Sequence, residues 1–437
     1  MSFNPKKLKS DFPIFNQKHN FDKLVYLDNG ATTQKPLQVI NGITEFYSKN
    51  YSNVHRSIHD LGESATSLYE QAREKVAIFL NANPEEIIFT SGTTESINFV
   101  ADAWLRKNIS KDNNVIVTQA EHHANFLPWL RVVQDKKAKI KFIELNKEDF
   151  SFVNFDPQKN DFINNKTKLI SLIHTSNVLG DVWQDQNQLE KIIQKAHSVG
   201  AKVMLDSAQS SPRQKIDVKK LDIDFLAFSG HKMLAPTGIG ILYIKKELHE
   251  QVEPYQVGGS MVYNVAWDKA EWRKSPQKFE AGTPPIAQAI GLGYAIDYLT
   301  QNVNFKDLKK HEALLCNYLI SGLDKINGIR ILGNRERLKK NGHLISFTID
   351  GIHVHDLSAF LSQKGISVRS GNHCAQPLSN LLKADASLRV SFYLYNTLRD
   401  VDLLLEELNN AIKYFCDQSF SNQTNLNKKS YCNTFTR

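Results

Sequence analysis

The chain has 437 residues, of which 41% are hydrophobic and 23% are charged, and this balance is typical of folded globular proteins and excludes wholesale disorder. Its 54 Lys and Arg residues outnumber its 46 Asp and Glu residues, but they are spread along the chain, so we expect a solvated basic surface and no nucleic-acid binding. No apolar run approaches the ~18 residues of a membrane span, and the N-terminus lacks a secretory signal, so we expect a cytoplasmic protein that does not cross a membrane.

Strand and helix candidates alternate from residue 25 to residue 244. Several of the strand candidates are continuous hydrophobic runs, as in strands that are buried on both faces. The helix candidates between them include 96–107 and 187–199. This alternation predicts an α/β fold with a mostly parallel sheet. The predicted strands are 87–90, 115–118, 140–145, 169–174, 202–206, 224–229 and 240–244.

The pattern changes after residue 255. A long loop is predicted up to residue 285, followed by a helical stretch over 286–327 with a break near 302–304. Residues 343–415 have a strand–helix–strand–helix pattern, which predicts a smaller α+β unit, and we expect the first 20 or so residues to pack near it. Residues 418–437 contain 12 Asn, Gln, Ser or Thr residues and predict a disordered tail. The predicted division is a large domain (25–299), a small domain (1–24 with 300–417) and a tail (418–437).

Polar side chains follow the strand that is predicted at 202–206. The strand ends in Asp206, and Gln209 follows three residues later. Ligands of open α/β sheets gather at the carboxyl ends of strands, which makes both side chains candidate ligand contacts. An ordinary strand-terminal turn, in which Asp206 accepts backbone hydrogen bonds, also explains them. Taken alone, this segment leaves both explanations open.

Two further segments follow predicted strands in the same way. Lys232 comes shortly after the strand at 224–229, where a lysine is costly unless it has a task such as forming a Schiff base with a carbonyl. Thr93 and Thr94 open a helix after the strand at 87–90, and the free N–H groups of a helix start favour an anion. A surface lysine and an ordinary N-cap are the alternatives.

Together these three segments match the requirements of pyridoxal phosphate. The cofactor needs a Schiff-base lysine, an acid on its pyridinium nitrogen and a phosphate cradle, and Lys232, Asp206 and the turn at Thr93–Thr94 supply one of each. Adjacent side chains diverge, so we do not expect the pair at 122–123 to bind a metal, and we predict no metal site. The other predicted contacts are Gln209 on the ring hydroxyl, Ser229 and His231 on the phosphate, His122 on the ring face, and Asn177 on the cofactor hydroxyl or the substrate.

Seven motifs in this chain resemble those of enzymes with the class V aminotransferase fold, and more narrowly those of the SufS-type (group II) cysteine desulfurases. One departure is Asn372, where the family usually has a histidine next to the position of His373. The polar tail has no counterpart. The motifs are Asn-Val-His-Arg (53–56), Ser-Gly-Thr-Thr-Glu (91–95), Glu-His-His-Ala-Asn (121–125), Asp-Ser-Ala-Gln (206–209), Ser-Gly-His-Lys (229–232), Phe-Glu-Ala-Gly-Thr-Pro (279–284) and Arg-Ser-Gly-Asn-His-Cys-Ala-Gln-Pro (369–377).

The resemblance implies a homodimer of the pyridoxal-phosphate-dependent transferase fold type I, with a mostly parallel seven-stranded sheet in the large domain and a smaller α+β domain. It implies conversion of L-cysteine to L-alanine, with the sulfur left as a persulfide on Cys374. Relatives pass this sulfur to a small SufE- or SufU-like protein or to iron–sulfur cluster assembly. The alternatives within the fold are a selenocysteine lyase and other β-cleaving class V enzymes, such as a kynureninase-like hydrolase. A scaffold without catalysis is the alternative from another class.

The resemblance also assigns roles to individual residues. His373 and Arg369 lie near Cys374 in sequence and are expected to favour its thiolate. Of the other cysteines, Cys316 is predicted in the core, whereas Cys416 and Cys432 have no expected role. The implied catalytic residues are Lys232, Cys374 and His122, the implied substrate-binding residues are Asn177, Arg369, Arg389 and His55, and Thr283 is expected to reach the cofactor phosphate of the partner subunit.

Overall fold

The structure is a computed structural model that describes residues 3–18, 23–152, 161–183 and 186–421. No helix in these segments combines the length and the apolarity needed to cross a bilayer. The α-helices are α1 Pro5–Lys9, α2 Leu37–Glu45, α3 Asp60–Leu80, α4 Thr93–Val100, α5 Arg106–Asn108, α6 Leu127–Asp135, α7 Gln186–Ser198, α8 Val218–Leu221, α9 Ile286–Asn302, α10 Phe305–Leu323, α11 Arg335–Asn341, α12 Val354–Gln363, α13 Gln376–Leu381 and α14 Leu398–Ser421. The strands are β1 Val25–Tyr26, β2 Ile87–Thr90, β3 Asn114–Thr118, β4 Lys139–Ile143, β5 Thr167–Ile173, β6 Lys202–Asp206, β7 Phe225–Ser229, β8 Gly240–Ile244, β9 Val262–Val265, β10 Ala270–Trp272, β11 Ile329–Leu332, β12 Leu344–Ile349, β13 Ile366–Ser367, β14 Arg369–Gly371 and β15 Ser387–Ser391.

The larger sheet has seven strands in the order β2-β8-β7-β6-β5-β3-β4. The strands from β7 to β4 run parallel, and β8 is antiparallel to both of its neighbours. Every residue of β2, β3, β7 and β8 is buried, as expected for continuous hydrophobic strands covered on both faces. The prediction of a mostly parallel seven-stranded sheet is therefore confirmed. Because the carboxyl ends of parallel strands meet at one edge, this topology brings the polar segments after β3, β5, β6 and β7 together.

The smaller sheet has four antiparallel strands in the order β11-β12-β15-β14. Its core includes Leu319, Phe347, Leu388 and Leu404, so that α10 and α14 pack against the strands. Val25 belongs to this same core, because β1 pairs in parallel with β13. The smaller α+β unit is present as expected, and the domain boundaries stay a prediction.

The N-terminal segment contacts both units. Phe12 packs edge-on against Tyr298 of α9 and against Tyr395, which follows β15. Lys9 pairs with the buried carboxylate of Asp400 at the start of α14, at 3.5 Å. The first residues therefore tie the long helix α9 to the C-terminal part of the chain.

The predicted elements differ from the structure mainly in two places. The predicted strands 87–90, 202–206 and 240–244 coincide with β2, β6 and β8, and the other four differ by up to two residues at an end. The helix predicted over 96–107 is present, but its middle segment Ala101–Leu105 has π-helical hydrogen bonding between α4 and α5. The loop predicted before residue 285 contains the hairpin of β9 and β10, whose short exposed strands carry no burial signal. Most of the predicted tail, residues 422–437, lies outside the described residues.

Candidate active site

Twelve of the predicted site residues line one cavity of about 310 Å³ at the carboxyl edge of the larger sheet. A cavity of this size fits a small molecule. Residues that follow β2, β3, β5, β6 and β7 form most of its wall, and the rest comes from the segment after β1, from β14 and the loop after it, and from β15. The twelve are Thr93, Thr94, His122, Asn177, Asp206, Gln209, Ser229, His231, Lys232, Arg369, Cys374 and Arg389.

Lys232 ends the tight turn Gly230–Lys232 that directly follows β7. Burial lowers the pKa of its amine to about 8, and the nearby Asp206 carboxylate opposes this shift. A lysine with this pKa has an appreciable fraction of neutral, nucleophilic amine near neutral pH. Lys232 is therefore a desolvated amine in the cavity wall, and its Schiff-base role stays a prediction.

The turn that carries Lys232 is held through the carbonyl of His231. This oxygen accepts hydrogen bonds from Thr33 N at 3.1 Å, Thr32 Oγ1 at 3.0 Å and Lys35 Nζ at 3.0 Å. Burial lowers the pKa of Lys35 to about 7. The role of Lys35 and its neighbours was not predicted from the sequence, because it depends on a contact some 200 positions along the chain.

Two buried acceptors without partners line the same cavity. Gln209 donates from Nε2 to the carbonyl of Gly30 at 2.8 Å, which leaves its buried Oε1 unpartnered among the described residues. Asn177 donates from Nδ2 to the carbonyl of His373 at 2.6 Å, and its buried Oδ1 is also unpartnered. Unmet acceptors of this kind cost about 1–3 kcal/mol each, so a ligand with matching donors is favoured here.

Asp206 is the last residue of β6 and accepts a hydrogen bond from Ala208 N at 2.9 Å. Burial raises the pKa of its carboxyl, whereas that hydrogen bond and the charge of Lys232 lower it. A carboxylate at this depth needs a cationic or N–H partner, and a protonated ring nitrogen is such a partner. Asp206 together with the acceptors of Gln209 and Asn177 therefore fits the polar edge of a pyridoxal ring.

The start of α4 forms the anion end of the cavity. Thr93 N donates to Ser229 Oγ at 2.9 Å, and the two hydroxyls are 2.8 Å apart, which joins this helix start to the end of β7. β8 approaches closely, because a Cβ on Gly240 would lie 2.3 Å from the Cα of Gly92. The helix start, the two hydroxyls and the exposed Thr94 together fit a phosphate group.

His122 lies on the loop after β3. Burial lowers its pKa to about 3, helped by the charge of Lys232, and its Nδ1 accepts a hydrogen bond from Ala124 N at 3.0 Å. The ring is therefore neutral at physiological pH. Glu121 anchors the loop, because it accepts hydrogen bonds from Thr118 Oγ1 at 2.7 Å and Asn125 Nδ2 at 2.6 Å. Glu121 was quoted in a motif but given no role by the sequence analysis.

Cys374 occupies a strained turn at the mouth of the cavity. Both His373 (φ 51°) and Cys374 (φ 56°) have left-handed backbones, which are uncommon for residues other than glycine. Hydrogen bonds hold this turn, from His123 N to the Cys374 carbonyl at 2.7 Å and from Ala375 N to the Asn372 carbonyl at 2.9 Å. The Cys374 residue is exposed, whereas Cys316 is fully buried, as predicted, and burial raises its thiol pKa.

The structure gives His373 a different setting from the one expected. Its Nε2 lies 3.0 Å from the hydroxyl of Ser387, and burial lowers its pKa to about 3. A neutral ring that faces Ser387 does not supply the positive charge that would favour a thiolate at Cys374. The expectation for His373 is therefore wrong, because burial outweighs its closeness in sequence.

Two arginines in the cavity wall share the carboxylate of Asp28. Arg369 binds Asp28 through Nε at 3.1 Å and Nη2 at 2.9 Å, and Arg389 reaches the same carboxylate through Nη2 at 3.3 Å. The buried Nε of Arg389 has no partner among the described residues. Gly30 permits this packing, since a Cβ there would lie 3.2 Å from Arg389 Cζ. The pair can bind a carboxylate ligand. Asp28 was not predicted from the sequence. It comes shortly after the strand β1, in a position similar to that of Asp206 at the end of β6.

Two predicted residues, His55 and Thr283, do not line the cavity. His55 Nε2 lies 2.8 Å from Glu70 Oε1, and Arg73 binds both Glu70 and Glu280. Thr283 is exposed on the loop after Glu280. This ion-pair network thus links the segment that carries His55 to the segment that carries Thr283, and neither residue lines the cavity of its own chain.

The pKa of Lys232 predicts its reactivity in the cofactor-free protein. We expect acylation of Lys232, followed by peptide mass spectrometry, to have its pH midpoint near 8, since only the neutral amine reacts. Because the Asp206 carboxylate raises the Lys232 pKa, Asp206→Asn is expected to move the midpoint lower. A midpoint at or above the ordinary lysine value of about 10.4 would show that this amine is not desolvated.

The chain is similar to known proteins over most of its length. The model of the family described as aminotransferase class-V matches residues 25–404. A probable cysteine desulfurase from Halalkalibacterium halodurans is 43% identical over 413 residues, which cover 94% of this chain and 99% of the relative. The solved structure of the cysteine desulfurase CsdA from Escherichia coli is 38% identical with a TM-score of 0.85 and covers 95% of this chain and 100% of its own. The apo structure of a cysteine desulfurase from Thermococcus onnurineus is 36% identical with a TM-score of 0.87 and covers 94% and 100%.

Proposed function

The chain belongs to the class-V aminotransferase family, and we propose that it is a cysteine desulfurase that converts L-cysteine to L-alanine and holds the released sulfur as a persulfide on Cys374. One observation carries this proposal. An exposed cysteine on a strained turn, a desolvated lysine and an arginine pair line the same cavity, and these groups match a sulfur acceptor, a base and a carboxylate clamp.

Pyridoxal phosphate is the cofactor of this family, and the cavity residues fit it. We assign Lys232 to its carbonyl carbon, Asp206 to its ring nitrogen, and Gln209 and Asn177 to its ring hydroxyl. Thr93, Thr94, Ser229 and His231 are assigned to its phosphate, and His122 to the face of its ring. When bound, the cofactor supplies an electron sink that stabilises negative charge on the substrate Cα.

The residues of this chain supply the remaining chemistry. The neutral amine of Lys232 takes the proton from the substrate Cα and later returns a proton. The Cys374 thiolate attacks the substrate sulfur, so that an S–S bond forms as the substrate Cβ–S bond breaks. The electron pair of the broken bond stays with the carbon fragment, which is protonated and leaves as alanine. We assign His122 to the transfer of the substrate thiol proton.

The arginine pair predicts how substrate binding responds to mutation. Arg389→Lys is expected to raise the KM for L-cysteine about tenfold or more with a smaller change in kcat, because lysine loses the two-point geometry for a carboxylate. The check is steady-state kinetics of alanine release. Arg330→Lys is the matched control. Arg330 lies on β11 of the same sheet as Arg389, donates to the Leu382 carbonyl and does not line the cavity. Equal KM values in Arg389→Lys and the control would contradict the clamp.

We also propose that the protein is a homodimer. Tyr263, Val265 and Trp267 on the hairpin of β9 and β10 are exposed, and apolar surface of this kind favours a protein partner. We infer that the partner on this apolar surface is a second copy of the chain, because a dimer would also bring Thr283 and His55 of one subunit towards the cavity of the other. Sedimentation velocity is expected to give twice the monomer mass, and a stable monomer at micromolar concentration would contradict the dimer.

The exposed Cys374 suggests the next step of the reaction. A persulfide at the cavity mouth is accessible to a nucleophilic cysteine of another protein, and we propose a small SufE- or SufU-like acceptor that carries sulfur towards iron–sulfur cluster assembly. The proposed activity is tested by adding L-cysteine and a reductant to the purified protein and measuring alanine and sulfide together. Equal amounts of the two products support a desulfurase, and alanine without sulfide would contradict it.

A further inference from the structure

A second and larger cavity, of about 410 Å³, lies next to the active site. Its wall combines segments after β5 and β6 of the larger sheet with α10 and the residues just before β12 from the smaller unit. Thr175 and Gln209 line both cavities. None of the roles proposed above uses the rest of this second cavity, although its volume suits a small ligand.

A buried ion pair forms part of the cavity lining. Arg213 donates from Nε to Glu312 Oε1 at 3.1 Å, and its Nη1 and Nη2 donate to the carbonyls of Gln209 and Phe392, each at 3.1 Å. Both charged side chains are buried, so they neutralise each other and fix this part of the wall. The lining is thus built by contacts between the two units.

A buried imidazole in the same wall lacks a partner. His343 is 3% exposed, it lines the cavity, and its Nε2 has no hydrogen-bond partner among the described residues. Burial holds its pKa well below the ordinary value, so the ring is neutral. A buried polar atom left unpaired is unfavourable, and a ligand atom in the cavity would satisfy it.

The rim of this second cavity carries positively charged side chains that are not paired with acids among the described residues. Lys215, Lys220 and Lys309 are exposed, and none has a carboxylate partner within the part of the chain that the structure describes. Lys309 is close enough to His174, another lining residue, to lower its pKa together with burial. Three unpaired ammonium groups around one opening attract an anion.

The acids in the lining are already engaged. Asp181 accepts a hydrogen bond from Asn341 Nδ2 at 2.8 Å. Asp217 caps α8 by accepting from Lys220 N at 2.8 Å, and it also accepts from Asn81 Nδ2 at 3.0 Å. With Glu312 paired to Arg213, each lining carboxylate has a partner, and the lysines remain available.

We propose that this second cavity binds a small organic anion that carries a phosphate or carboxylate group, with its charge at the lysine rim and a polar atom on His343 Nε2. Thr175 and Gln209 border both cavities, but the three rim lysines and His343 do not line the cofactor cavity, and Arg389 does not line this one. Its occupancy therefore does not depend on which reaction the enzyme catalyses.

Calorimetric titration of the holoenzyme tests the proposal with two probes, inorganic phosphate and malonate, in separate arms. We expect saturable binding of at least one probe, weakened at least tenfold in the double variant Lys215→Ala/Lys309→Ala and in His343→Phe. Lys310→Ala, at an exposed neighbour on the same helix, is expected to bind as the wild type does. The stronger probe identifies the ligand as a phosphate or a carboxylate.

Absence of saturable binding for both probes would overturn the proposal. Unchanged binding in the double lysine variant would also overturn it, because the probe would then sit at Arg389 or elsewhere. His343 is buried and its replacement can disturb folding, whereas the two lysines are on the surface and leave the fold intact.

Discussion

Replacement of Lys232 by alanine is expected to reduce alanine formation from L-cysteine by about 10³-fold or more. Proton transfer by a positioned base contributes about 10²–10⁴-fold, and this variant also loses the amine that joins the cofactor. The measurement is the initial rate of alanine release with saturating cofactor, together with the visible absorbance of the bound cofactor, which we expect to change. Thermal melting checks that the variant is folded.

The matched control is Lys278→Met. Lys278 is also a buried lysine, but it donates to the carbonyl of His249, away from the cavity. Retained activity in this control would show that loss of a buried lysine alone is not the cause. A folded Lys232→Ala protein with more than a tenth of wild-type turnover would contradict the assignment of the base.

Replacement of Cys374 by alanine is expected to leave cofactor binding unchanged and to lower sulfide formation from L-cysteine by about 10²-fold or more. In the proposed reaction the Cys374 thiolate forms the new S–S bond, and no other cysteine lines the cavity within the described residues. Cys416→Ser is the control, because this residue lies on α14 and does not line the cavity. Sulfide formation at the wild-type rate in Cys374→Ala would contradict the persulfide.

The same variant separates a desulfurase from a selenocysteine lyase. Selenium leaves the Cβ carbon more readily than sulfur and does not require a protein thiol. If Cys374→Ala loses activity with cysteine but keeps it with selenocysteine, the thiol is needed for sulfur alone. If wild type acts only on selenocysteine, the lyase is the better description.

Much of this site could be predicted from the sequence because its residues follow strands. Lys232, Asp206 and Thr93 each stand at or just after a continuous hydrophobic run, and parallel strands bring such positions to one edge. Local signals of this kind require no knowledge of distant contacts. They located nine of the twelve cavity residues, and the family resemblance supplied the other three, Arg369, Cys374 and Arg389.

The residues that the sequence did not predict act through partners far along the chain. Asp28 matters because Arg369 and Arg389 converge on it, and Lys35 because the carbonyl of His231 lies beside it. His373 was misjudged because burial, which a short motif does not report, keeps its ring neutral. The second cavity likewise exists only where separate segments meet.

In the proposed reaction, sulfur from the substrate becomes bound to Cys374. To test this directly, the holoenzyme is mixed briefly with L-cysteine in the absence of reductant and then digested. The mass of the Cys374 peptide is determined by mass spectrometry. We predict a gain of one sulfur atom, which carries the isotope when labelled cysteine is used. Alanine formation with no added sulfur on Cys374, or with the sulfur on another cysteine, would contradict this account.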